Sequence, residues 1–201
     1  MKQYFIKSMP VKDFSKANVA AIDTYKWFDD YKPKTEAKVI FVKGEGFYVQ
    51  LRTEEKNPKA TYKNYQDKVC EDSCMEFFFN FASDPKQDKY VNFEVNALGT
   101  INSSVGKGRR CRKKVIEFWE DLPKIDVTIG DDYWQVEYFL SIERLEKIFG
   151  EINTEKGATY KGNFYKCGDK TEHEHYGMWS PVDLPEPDYH RPEFFGELIM
   201  D

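Results

Sequence analysis

No hydrophobic run in the sequence approaches the ~18 residues of a membrane-spanning helix, and the start, Met1 to Pro10, carries lysine but no apolar leader core. A spanning segment is excluded, and a cytoplasmic protein is expected unless a leader has been removed. Cysteine is scarce: 4 in 201 residues cannot build a disulfide scaffold. On extended chain Cys70 and Cys74 would stand ~13 Å apart at ~3.3 Å per residue, beyond bridging reach, so reduced thiols are expected. With 12 Gly and 9 Pro the chain is neither fibrous nor of low complexity. Positive charge is not in excess either. Lys plus Arg number 30 against 35 Asp plus Glu, and the net charge of −5 offers no pull on a phosphate backbone or an anionic lipid face. Nucleic acid and membrane are thereby set aside as partners. Gly-rich phosphate cradles, serine elbows and Cys/His nucleophile motifs do not occur.

What is present is ample core material, 40% hydrophobic and 16% aromatic, in a length suited to one domain over residues 1–201. Period-two alternation dominates, the mark of half-buried strands. Lys38 to Val42 and Phe47 to Arg52 flank Gly44-Glu45-Gly46 as a hairpin. A second hairpin follows, with Met75, Phe77 and Phe79 alternating against Glu76, Phe78 and Asn80, and then Val91, Phe93 and Val95 against Asn92, Glu94 and Asn96. Further strands are expected at Lys124 to Ile129, Tyr133 to Leu140, Asn163 to Cys167 and Phe195 to Met200. Ser141 caps one short helix, with Ile142, Leu145, Ile148 and Phe149 at helical spacing. The fold class is all-β, an antiparallel, jelly-roll-like β-sandwich with one short helix. Asn102 to Lys114 holds the basic cluster. Asp169 to Pro192 is a long connection expected to be ordered by its aromatics yet nearly devoid of regular structure.

If Phe77, Phe79, Phe93, Val49 and Leu51 face the core, the opposite faces present Glu76, Asn80, Asn92, Glu94, Asn96, Tyr48, Gln50 and Arg52. Saccharide hydroxyls both donate and accept, so amides, carboxylates and guanidinium groups at fixed positions, with rings for the pyranose C–H face, suit a sugar. A solvated outer sheet face looks similar. The alternative chemistry is hydrolysis: opposed strand residues have Cβ atoms roughly 4.5–5.5 Å apart, which suits a retaining glycosidase pair at Glu76 and Glu94. A third class is an interaction sandwich whose polar face is inert. Cys70, Cys74, Cys167 and His175 could hold zinc, although Cys-x3-Cys is a weak spacing, and His173, His175 and His190 all lie in the late connection. Asp29 with Asp30, and Asp84 with Asp88, are the acidic pairs to consider for calcium.

Several blocks occur in order: Glu71-Asp72-Ser73-Cys74-Met75-Glu76-Phe77-Phe78-Phe79, Tyr90 to Gly99, Asn163 to Asp169, Trp179-Ser180-Pro181, and Asp188-Tyr189-His190-Arg191-Pro192-Glu193-Phe194-Phe195-Gly196. They resemble the family 9-like carbohydrate-binding proteins, relatives of modules appended to xylanases. The resemblance implies a β-sandwich, noncatalytic binding of saccharide chain ends such as xylan between two rings, structural calcium, and a glycoside hydrolase acting on the same glycan as partner. Glu76 matches the glutamate of an Asp-Ser-x-Glu strand, and Tyr189 falls at the second clamp tryptophan. Cys70 stands where the first clamp ring belongs, with Trp179, His190 or Tyr65 as substitutes, and Glu94 stands where those modules place an arginine. The expected ligand-binding set is Glu76, Glu94 and Asn96 on the sheet, with Arg109, Lys166, Trp179, Tyr189 and His190 around it.

Overall fold

The computed structural model describes residues 1–28 and 30–201. Among them are fourteen strands: β1 (Gln3–Met9), β2 (Ala20–Ile22), β3 (Thr24–Tyr25), β4 (Thr35–Val42), β5 (Gly46–Thr53), β6 (Cys74–Asn80), β7 (Tyr90–Asn96), β8 (Ile101–Gly106), β9 (Lys113–Lys114), β10 (Asp126–Ile129), β11 (Trp134–Ser141), β12 (Thr159–Cys167), β13 (Tyr176–Met178) and β14 (Gly196–Met200). The one α-helix, α1 (Ile142–Phe149), starts where the sequence places it. Ser141 Oγ accepts from the Arg144 N–H at 3.2 Å, and Leu145, Ile148 and Phe149 are buried.

Both expected hairpins form, with Val39 opposite Val49 and Phe77 opposite Phe93. They lie in opposite sheets. One sheet runs β10-β11-β5-β4 and the other β14-β12-β6-β7-β8-β9, and β1 joins them. The first half of β1 runs parallel to β14 and its second half parallel to β4, while the remaining pairings are antiparallel. The apolar sides meet inside: Phe93 and Tyr138 ring centres are 4.8 Å apart across the sheets, and Phe47 and Phe81 are 4.6 Å apart. Burying both apolar sides turns the two polar sides away from each other. Tyr48, Gln50 and Arg52 therefore do not share a face with Glu76 and Glu94, as alternation alone had suggested.

The outer face of β6, β7 and β12 is also covered. Cys74, Phe78, Tyr90, Tyr165 and Cys167 pack with Tyr176, Met178, Val182 and Tyr189 of the late connection, and with Phe195 just beyond it, in a second apolar cluster. That connection is ordered as expected, but it contains strand β13, which pairs with β12 on one edge and β3 on the other. Three residues are too few for alternation to be visible. Strand β8 was hidden for another reason: Ile101, Ser103 and Val105 turn inward, while Asn102 and Ser104 have the composition of a loop.

Candidate functional site

Strand alternation puts Glu76 and Phe78 on the outer face of β6, with Glu94 directly opposite Glu76 on β7 and Cys167 opposite Cys74 on β12. Asp169 follows β12, Glu186 to His190 arch over from the late connection, and Arg109 approaches from the β8–β9 loop. Together they line a cavity of about 380 Å³, within the roughly 300–1,000 Å³ typical of small-molecule sites.

Its floor is acidic and buried. Glu76 is 3% and Glu94 6% exposed. Burial, followed by the facing Glu94, holds the Glu76 carboxyl well above the usual range. Burial raises Glu94 to about 7, although Asn92 and Arg112 pull the other way, and burial raises Asp169 to about 6. The Cys167 thiol donates to Glu76 Oε1 at 3.1 Å. Asn92 Nδ2 donates to Glu94 Oε1 at 2.8 Å, and Arg112 donates to Asn92 Oδ1 at 2.8 and 3.0 Å. The Arg112 charge thus reaches Glu94 through an amide, while its guanidinium lies 4.2 Å from the Tyr90 ring centre. Arg109 is tied to Asp188 at 2.9 Å. The His190 ring lies 4.9 Å from Phe78 and pairs through Nδ1 with the Tyr90 hydroxyl at 2.9 Å. Burial, with Arg112 and Arg109 nearby, presses its pKa to about 3, so the ring is neutral near pH 7.

Of the expected set, Glu76, Glu94, Arg109, Tyr189 and His190 meet around this cavity. Tyr189 is a wall rather than a free rim: its ring stacks on Tyr165 at 3.9 Å and 12°, and its hydroxyl donates to the Gly177 carbonyl at 3.0 Å. Asn96, Lys166 and Trp179 stand elsewhere. Asn96 Nδ2 donates to the Tyr62 carbonyl and to Asp72, bracing the approach to β6. Trp179 packs edge-on against Phe164 and Tyr4 in the main core. Lys166 is opposite Met75 and so turns to the inner side of the sheet, where its ammonium donates to His175 Nε2 at 2.7 Å and lies 3.2 Å from Glu55. Tyr65, a possible substitute ring, packs on the main core. Phe78, Asp169, Cys70 and Cys167 belong to the cavity and were not in the expected set. Their signal is pairing register, which a single sequence does not carry.

The proposed zinc set is divided as well. Lys166 holds His175 on the inner side, whereas Cys70 and Cys167 line the cavity. The acidic pairs assemble no calcium cage among the described residues: Asp84 caps the Lys86 N–H at 2.9 Å, and Asp88 pairs with Lys107 at 3.0 Å. Asp29 lies outside the described residues.

The sequence matches the profile of carbohydrate-binding family 9 over residues 8–200. The chain belongs to that family. No functionally curated protein matches the sequence. Among solved structures, a Bacteroides uniformis protein provisionally assigned as carbohydrate-binding is similar to this family 9 chain, with 24% identity and TM-score 0.82, covering 100% of this chain and 99% of that one. A family 9 module of Caldicellulosiruptor kristjanssonii in complex with glucose shares 12% identity and TM-score 0.70, covering 100% of this chain and 96% of that one. The cellotriose complex of a family 9 module from that organism gives 11% and 0.66, covering 99% and 93%. At these identities the structures establish a shared fold.

Proposed function

We propose that this family 9 protein binds a saccharide unit, without turning it over, in the Glu76–Glu94 cavity. The observation that carries this reading is two opposed, buried carboxyl groups under a wall of Phe78, Tyr189 and His190 rings. Carboxyls that burial holds above their ordinary range can keep a proton to donate and still accept from hydroxyls, and the rings offer apolar surface to a pyranose. A glucose unit, bound in the related Caldicellulosiruptor complexes, is the first ligand to test. A xylan end presents the same ring without the hydroxymethyl group, and a glycoside hydrolase acting on the same glycan is the expected partner.

Hydrolysis is the weaker reading although the two glutamates face each other. A retaining enzyme needs one carboxylate ionised as nucleophile, and burial holds both above their ordinary values. NMR titration with glucose, cellotriose and xylotriose, with product analysis, decides. The expected result is shifted resonances around Glu76 and Glu94 with intact sugar recovered. Glu76→Gln should weaken affinity by roughly 2- to 13-fold, the worth of about 0.5–1.5 kcal/mol for a hydrogen bond of a neutral group. Shifts confined to other surfaces would remove this cavity, and released sugar would install the hydrolase.

A further inference from the structure

We propose that Cys74, Cys167 and Glu76 form a binding site for a thiophilic divalent cation, Zn(II) or its softer analogue Cd(II). The two Sγ atoms and a Glu76 carboxylate oxygen all lie within 4.8 Å of one another, in the one such grouping found among the described residues. The contact between Cys167 Sγ and Glu76 Oε1 is 3.1 Å. Zinc bonds of roughly 2.3 Å to sulfur and 2.0–2.2 Å to oxygen place tetrahedral donors about 3.5–3.8 Å apart, so the Cys167–Glu76 pair opens slightly and small side-chain adjustments bring the three donors to bonding distance. The scaffold is rigid: Cys74 and Cys167 are register partners on neighbouring strands, and all three residues are buried. Glu76 and Cys167 line the cavity, where Cys70 and Asp169 also stand.

Charge supports the same assignment. Glu94 and Asp169 border the three donors, and among the described residues no cation touches them directly: Arg109 is bound to Asp188, Arg112 to Asn92, and Lys166 lies on the other side of the sheet. Without a cation, burial holds the Cys74 thiol and the Glu76 carboxyl above their ordinary ranges, and the hydrogen bond with Cys74, followed by burial, does the same for the Cys167 thiol. A dication would displace the two thiol protons and the carboxyl proton into solvent, which makes binding weaken as the pH falls. The site shares Glu76 with the saccharide reading but is argued from the Cys74, Cys167 and Glu76 geometry alone, so either can fail without the other.

The test uses the reduced, metal-free 201-residue protein in a Cys111→Ser background, which removes the exposed thiol, and no sugar. Titration with Cd(II) should raise a thiolate-to-cadmium charge-transfer absorption that saturates at one equivalent. Cys74→Ser with Cys167→Ser should lower the affinity by more than the roughly 10–100-fold that loss of an outer hydrogen-bond partner costs. If the double variant does not fold by circular dichroism, the cadmium NMR shift of the parent decides, because it moves downfield with each thiolate ligand and should report two. No saturable absorption in the parent, persistence of binding in a folded double variant, or an all-oxygen cadmium shift overturns the assignment.

Discussion

Glu94 carries the clearest consequence of burial at a single residue. Its folded pKa of about 7 stands above its ordinary 4.5, so the stability it contributes is complete below pH 4.5 and is lost as pH rises through 7. His175 and His190 act in the opposite sense: held at about 4 and about 3 against an ordinary 6.5, they contribute stability above pH 6.5 that is lost as pH falls through those values. Glu94→Gln removes the first effect only. Its melting temperature relative to the parent should therefore climb between pH 4.5 and 8, and a constant difference by calorimetry would refute the assignment. Tyr189→Ala should cost about 3–5 kcal/mol in urea unfolding, the scale of a buried aromatic truncation, because Tyr189 is 8% exposed and stacked on Tyr165. The sequence placed Glu76 and Glu94 correctly because alternation fixes which side of a strand a residue takes. Tyr189 looked like a rim residue because nothing local to it reveals the Tyr165 ring beneath.

Among the elements, the late connection does the most to shape the site. The Trp179 N–H donates to the Phe164 carbonyl at 2.9 Å, and the Lys26 N–H to the Tyr176 carbonyl at 3.2 Å. Amide exchange should consequently be slow at Tyr176 to Trp179 and fast at the exposed Glu172 and His173. Uniformly fast exchange would mean that the cavity roof is not preformed. Beneath it, Lys166 ties β12 to Glu55, which also accepts from Trp134 Nε1 at 2.8 Å and from Ser73 Oγ at 2.7 Å. Burial pushes Glu55 up, yet Lys166 and these two donors outweigh it and hold the carboxyl below its ordinary value. Lys166→Met strands that charge and should cost about 3–5 kcal/mol, most of it recovered when Glu55→Gln is added. Equal losses in single and double variants, measured by urea unfolding, would deny the coupling. Lys166 was read as a ligand contact because the parity of β12 could not be counted without knowing that it pairs Lys166 with Met75.

At the scale of the whole molecule, the sandwich and its two hairpins were legible, since long alternating runs admit few other arrangements. The strand that joins the two sheets was not, because Gln3–Met9 pairs with residues far along the chain and owes its place to them. That strand also decides how the protein bears tension. β1 and β14 run parallel, and the bonds from Glu197 N–H to the Lys2 carbonyl and from Asp201 N–H to the Ile6 carbonyl, each 2.9 Å, bracket their shared ladder. Force entering ahead of Gln3 and leaving beyond Met200 slides one strand along the other, so the ladder is loaded in shear and its bonds must fail together instead of unzipping one at a time. A body gripping a fixed glycan while its chain is dragged from both sides is thereby braced along its strongest direction.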